Sequence, residues 1–105
     1  MSGQVRLETG AGVARIILDR PEKLNAITPD MAQTLARLCA EVDRDPAVRA
    51  VIVRGTGPKA FSAGSDLNAL ADHPDPWTFR SRVEYAAVVR NVQKPVIAAL
   101  RGWVL

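Results

Sequence analysis

A helix with clear start and stop signals, followed by a short apolar run, constrains the fold of this chain most. Thr28 is a good N-cap residue, Pro29 suits the first helical position, and Asp45-Pro46 is expected to end the helix. The apolar run at 50–53 is typical of a strand buried on both faces of an α/β sheet. The apolar face of the helix repeats at spacings of four, three and four residues: Met31, Leu35, Leu38 and Val42.

Shorter signals place the other elements around this helix. Two β-rich runs at 5–8 and 13–18 are separated by a glycine-containing loop, which predicts a hairpin. A second long helix is predicted over roughly 77–91, and a second buried strand over 96–100. Because helices alternate with buried strands, we expect parallel strand pairing and an α/β fold.

Length and composition limit the classes of protein to which the chain can belong. Its 105 residues, 48% of them apolar and 24% charged, fit one globular domain and exclude two. No apolar stretch is long enough to span a bilayer, and the first residues do not form a secretory signal. The net charge of +3 is scattered, which argues against nucleic acid as a partner and favours a small anionic ligand.

A single cysteine, Cys39, excludes an internal disulfide. It lies within the apolar pattern of the first helix, so we expect a small core residue and not a catalytic thiol. This cysteine usage fits a reducing, cytoplasmic location, and the sequence predicts no metal site.

The segment 61–67 (Phe-Ser-Ala-Gly-Ser-Asp-Leu) is the candidate for chemistry. We expect a tight turn that opens a short helix, where small side chains around Gly64 let a ligand approach the backbone. The amides of Ser65, Asp66 and Leu67 would then point outward and bind a carbonyl oxygen that gains negative charge. The alternative is an ordinary turn in which Ser65 or Asp66 caps the helix, and spacing alone favours that alternative.

Four blocks of sequence, taken in order, resemble the crotonase family, which is the enoyl-CoA hydratase/isomerase superfamily. Each block is modest by itself, but together they cover nearly the whole chain in the order of the family. The blocks are RPEKLNAI (20–27), VRAVIVRG (48–55), AFSAGSDL (60–67) and KPVIAALRG (94–102).

The resemblance implies a fold that spirals through repeated ββα units and a substrate that is an acyl-CoA thioester. In this family two backbone N–H groups form an oxyanion hole that stabilises the enolate of the thioester. By its position in the motif, the first donor here would be the amide of Ser65. Ala63, Gly64, Asp66 and Leu67 would line the CoA pocket beside it.

The resemblance also assigns roles outside this turn. The segment containing Lys23, Leu24 and Ala26 resembles the part of the family that runs along the nucleotide end of CoA. There Lys23 contacts a phosphate or remains a solvated loop lysine, and the sequence leaves both alternatives open. We expect Asn25 to hold its own turn, and Trp103 to line the start of a glycine-rich turn.

The chain departs from the family after Leu105. The family's second oxyanion donor and the acid/base glutamates of its hydratases lie beyond this point, and the chain ends on apolar residues. We therefore expect residues 1–105 to be a partial domain, an N-terminal fragment that is inactive by itself. The sequence does not choose among hydratase, isomerase, hydrolase and dehalogenase activity.

The resemblance implies no cofactor, because CoA is part of the substrate, and a homotrimer or hexamer at full length. The alternative function is that of a short, non-catalytic paralogue that binds CoA or joins the oligomer of a homologue.

Overall fold

A computed structural model describes residues 4–64, 66 and 85–104 of the chain. The described part contains strands and helices in an α/β arrangement, which confirms the predicted fold class. Apart from one turn of 3-10 helix at Pro21–Lys23, the elements are β1 (Gln4–Gly10), β2 (Val13–Asp19), α1 (Pro29–Arg44), β3 (Ala50–Gly55), β4 (Ala60–Ser62), α2 (Tyr85–Arg90), β5 (Val96–Ala99) and β6 (Trp103–Val104).

Four strands form the main sheet, in the order β1-β2-β3-β5. Strands β1 and β2 form the predicted antiparallel hairpin, and the tight turn between them uses positive φ angles at Ala11 and Gly12. The pairs β2–β3 and β3–β5 are parallel, as the alternation of helices and strands predicted. Strands β4 and β6 form a separate parallel pair beside the sheet.

Helix α1 covers one face of the main sheet and has the predicted ends. The Thr28 side-chain oxygen accepts a hydrogen bond from the Met31 N–H at 3.1 Å, and Pro29 is the first helical residue. All four residues of the predicted apolar face are buried. They pack against inward-facing side chains of the strands: Val5, Ala14, Ile16, Leu18, Val51 and Val53. Of the second predicted helix, the structure describes only the last part, as α2.

The prediction that β3 and β5 are buried on both faces is wrong. Val51 and Val53 are buried beneath α1, whereas Ile52, which points the other way, is only half-buried. Strand β5 is more open still, because within the described ranges it is the edge strand of the sheet and Ile97 is 58% exposed. Four large apolar residues of this part of the chain are exposed, and we refer to them together as the β5–β6 apolar strip: Ile97, Leu100, Trp103 and Val104.

Cys39 is a buried member of the core, as its position in the helical pattern predicted. Burial, together with the nearby negative charge of Asp43, raises the pKa of its thiol to about 11. The thiol is therefore protonated at neutral pH and is a poor nucleophile. This confirms the structural interpretation of the cysteine.

Candidate functional site

Two segments distant in sequence, 20–27 and 60–66, lie side by side at the candidate site. Both segments contain little regular structure, so many of their backbone groups must find hydrogen-bond partners in the other segment. Residues later in one segment bond to residues later in the other, so the two segments run in the same direction. Three backbone hydrogen bonds join them: Ala63 N–H to Leu24 O at 2.9 Å, Ile27 N–H to Gly64 O at 2.7 Å, and Asp66 N–H to Ile27 O at 2.9 Å.

The side chain of Asn25 is the centre of this arrangement and is fully buried. Its Oδ1 accepts the backbone N–H of Arg20 at 2.8 Å, while its Nδ2 donates to the carbonyls of Thr56 at 2.9 Å and Ala60 at 3.1 Å. Its own carbonyl accepts the Ser62 hydroxyl at 2.9 Å. Asn25 holds its own turn, as predicted, and in addition fixes two other segments to that turn.

Close backbone approach at the end of β3 makes this network possible. A Cβ atom added to Gly55 would lie 2.3 Å from the Phe61 carbonyl oxygen and 2.5 Å from Asn25 Nδ2. Both distances are far below van der Waals contact, so position 55 requires glycine. Asn25 itself has a left-handed backbone, with φ at 55°, which asparagine tolerates better than most residues.

An ion pair between Arg20 and Asp66 is the second connection between the two segments. Nη1 of Arg20 lies 2.5 Å from the Asp66 carboxylate, and the two side chains are only 9% and 13% exposed. The same Nη1 donates to the Ala26 carbonyl at 3.3 Å. Because a buried charge that loses its partner is costly, each of these residues requires the other.

These contacts correct one prediction about the turn. The amide of Asp66 does not point outward, because it donates to the carbonyl of Ile27. The Gly64 amide is also used, since it donates to the Ser62 hydroxyl at 3.1 Å. Phe61 and Ser62 belong to strand β4 and not to the turn. Ser65, Leu67 and the short helix predicted at this point lie outside the described residues.

The structure brings most of the other predicted site residues together. Leu24 and Ala26 are half-buried on one segment, and they face Ala63, which is half-buried, and Gly64, which is buried. Lys23 is exposed at the end of the 3-10 turn. The remaining predicted residue, Trp103, pairs with Ala60 across the β4–β6 ladder and is 61% exposed.

Three residues that hold the site were not predicted to do so. Arg20 is separated from Asp66 by 46 positions, and no local pattern indicates that pairing. Ser62 looks in the sequence like one small residue among several, although its hydroxyl donates to the Asn25 carbonyl and accepts the Gly64 N–H. Gly55 carried a detectable signal, because a glycine directly after an apolar strand indicates close backbone approach.

No helix in ranges 4–64 and 85–104 is long and apolar enough to cross a membrane. In the same part of the chain, no three side chains of the types His, Cys, Asp or Glu are placed to hold a metal ion.

Known proteins match this chain over nearly its whole length. The family model of enoyl-CoA hydratase/isomerase matches residues 13–105. Carnitinyl-CoA dehydratase of Proteus mirabilis is 35% identical over 105 residues, which is 98% of this chain and 40% of the relative. The mitochondrial 3-hydroxyisobutyryl-CoA hydrolase of Gallus gallus is 33% identical, over 96% of this chain and 28% of the relative.

Solved structures agree with the sequence matches. The crystal structure of an enoyl-CoA hydratase from Bacillus anthracis superposes with a TM-score of 0.83 at 27% identity. The match covers 94% of this chain and 40% of that one. The chain belongs to the enoyl-CoA hydratase/isomerase family, also called the crotonase family. It spans about 40% of the length of the first curated relatives that it matches.

We predict that Asn25→Ala destabilises the chain by about 3 kcal/mol or more. The substitution removes hydrogen bonds from two buried backbone groups, Arg20 N–H and Ala60 O, and from the partly buried Thr56 carbonyl. Alanine also tolerates the left-handed backbone less well than asparagine does. Urea denaturation followed by circular dichroism measures the loss in the free energy of unfolding. Asn91→Ala, at an exposed position, is the matched control and should change it by less than about 0.5 kcal/mol. Equal effects of the two substitutions would contradict the role of Asn25.

Proposed function

We propose that the turn at 63–66 binds the thioester group of an acyl-CoA and stabilises negative charge on its carbonyl oxygen. One observation carries the proposal: the amides of Ala63, Gly64 and Asp66 are already used to hold the turn. They are therefore excluded as oxyanion donors, which leaves Ser65 and Leu67 of the three amides that the sequence predicts for this role. The motif resemblance supports the Ser65 amide as the first donor of the oxyanion hole.

The rest of the coenzyme is proposed to lie along the segment containing Lys23, Leu24 and Ala26. This segment is joined by backbone hydrogen bonds to the turn that would hold the thioester, so one ligand can contact both. Lys23 is exposed at the outer end of the segment, where its ammonium group can reach a phosphate. Trp103, exposed on β6, is proposed to line the far side of the pocket.

The proposed chemistry is limited to charge stabilisation at the thioester. Asp66 is the described carboxylate nearest the turn, and its pairing with Arg20 makes it unsuitable as a base. The relatives named above include a dehydratase and a hydrolase, and both names refer to CoA thioesters. We therefore expect the 105-residue chain to bind and polarise a thioester without hydrating crotonyl-CoA. The proposed reaction of the full-length protein is hydration or isomerisation of an enoyl-CoA through an enolate.

A pair of substitutions at position 65 tests the proposed donor. Ser65→Pro removes the backbone N–H, whereas Ser65→Ala keeps it and removes only the hydroxyl. With crotonyl-CoA labelled with carbon-13 at the thioester carbonyl, infrared spectroscopy reports how strongly that carbonyl is polarised. We expect the carbonyl band to move to lower wavenumber on binding to the wild type and to Ser65→Ala, but not to Ser65→Pro.

The proposal fails if the band shifts equally with the proline variant, since the donor would then lie elsewhere. It also fails if the wild type gives no shift at a saturating concentration of thioester. Circular dichroism of each variant shows whether the proline has disturbed the fold beyond the turn.

A second candidate function is association with another polypeptide through the β5–β6 apolar strip. The observation behind it is the exposure of four large apolar side chains within residues 97–104, in and between β5 and β6. Edge strands with such side chains readily pair with a further strand. This candidate does not require catalysis by the chain itself.

Size-exclusion chromatography with light scattering tests this association, with and without a full-length member of the family. We expect the wild-type chain to form an assembly larger than a monomer. Trp103→Glu and Ile97→Glu should each prevent this assembly. Ala40→Glu, at an exposed position of α1, should leave the assembly intact. A monomer in both mixtures would rule out association.

A further inference from the structure

A cleft of about 100 Å³ opens at the carboxyl ends of the parallel strands β3 and β5. Its volume would hold several water molecules, and so also a carboxylate or phosphate group. Ligands of α/β proteins commonly bind at this edge of a parallel sheet. Its lining contains two arginines and no acidic side chain: Arg54, Gly55, Phe61, Ala99, Leu100 and Arg101.

The two arginines of the cleft have no partner of their own among the described residues. Arg54 is half-buried on β3 and Arg101 follows the end of β5 on the exposed side. Asp19, on the neighbouring strand β2, is engaged elsewhere: it accepts hydrogen bonds from Arg6 at 3.1 Å and from the Thr56 hydroxyl at 3.0 Å. A guanidinium keeps its charge at every physiological pH and has five N–H donors to satisfy.

We propose that the cleft between Arg54 and Arg101 binds an anionic group of the ligand, a carboxylate or a phosphate. Paired arginines suit both groups, because each guanidinium can donate two parallel hydrogen bonds to the oxygens. Phe61 lines this cleft and stands two residues before Ala63, where the turn at 63–66 begins. Along an extended backbone, two residues span only about 7 Å, so one ligand can reach both places.

The position of the cleft relative to β4 indicates that the acyl end of the ligand, and not its nucleotide end, would lie in it. This inference rests on the proposed function. The Ser62 side chain points to Asn25, and therefore to the segment proposed for the nucleotide. Phe61, the preceding residue of the strand, points to the opposite side by strand alternation, and it lines the cleft while packing against the core. A ligand that crosses the turn would bring its acyl chain to the arginines. The substrate class is therefore a CoA thioester whose acyl chain has a terminal carboxylate.

Calorimetric titration of the 105-residue chain with two thioesters of equal chain length tests this class. Glutaryl-CoA has the terminal carboxylate and pentanoyl-CoA lacks it. We expect glutaryl-CoA to bind at least tenfold more tightly to the wild type, as one charge-assisted hydrogen bond would give. Arg54→Gln and Arg101→Gln should each remove most of this difference and leave the affinity for pentanoyl-CoA unchanged. Arg90→Gln, at an exposed position of α2, is the control and should preserve it.

Other outcomes show which part of the ligand carries the anionic group, and whether the cleft binds that group. If Arg54→Gln weakens the binding of both thioesters equally but not that of dephospho-CoA, the cleft binds the 3′-phosphate of the coenzyme, and the assignment to a carboxylate of the acyl chain is wrong. The inference is overturned if both variants bind both thioesters as the wild type does. Arg101 is exposed, so its variant remains informative even if Arg54→Gln fails to fold.

The inference and the proposed function can also fail separately. If the wild type binds no CoA thioester, the proposed function fails, and titration with glutarate and inorganic phosphate decides the inference. If the wild type binds either anion and Arg54→Gln weakens that binding tenfold, the cleft is supported as an anion site. If neither anion binds, the inference is overturned. A wild-type chain with no cooperative melt would overturn it as well, because the two strand ends would not be held together.

Discussion

The buried amide of Asn25 is the interaction on which the rest of the site depends. It supplies three hydrogen bonds to backbone groups of three segments, and no solvent reaches it to replace them. Its position in turn requires glycine at 55, since any side chain there would displace the amide or β4. A buried network of this kind is stabilising only when all of its members are present. Loss of the side chain therefore affects the loop, the end of β3 and β4 together.

This constraint matters for the proposed function because it adds to the bonds that hold the backbone on both sides of position 65, at Gly64 and Asp66. Bonds from Ala63, Gly64 and Asp66 consume the amides around position 65, and the ion pair between Arg20 and Asp66 holds the same turn from its other side. A donor that is positioned in advance stabilises developing charge without a cost of reorganisation. For the proposed function, the backbone bonds on either side of position 65 therefore matter more than the side chains of the turn.

Features determined by neighbours in sequence were predictable, and features determined by distant packing were not. The N-cap at Thr28, the apolar face of α1 and the hairpin follow from local rules, and the structure confirms them. The exposure of β5 could not be predicted, because an apolar strand looks the same whether or not another layer covers it. Motif resemblance identified the turn at 63–66. The pairing of Arg20 with Asp66, and the donation of the Asp66 amide to Ile27, required the fold.

The most direct test of this account is the response of four backbone amides to a bound thioester. Nitrogen-15 NMR of the chain, titrated with crotonyl-CoA, reports each amide of the turn separately. We expect a large downfield proton shift for Ser65 and small shifts for Ala63, Gly64 and Asp66, whose hydrogen bonds already exist. If Asp66 or Gly64 shifted most while Ser65 stayed unchanged, Ser65 would not be the donor to the thioester.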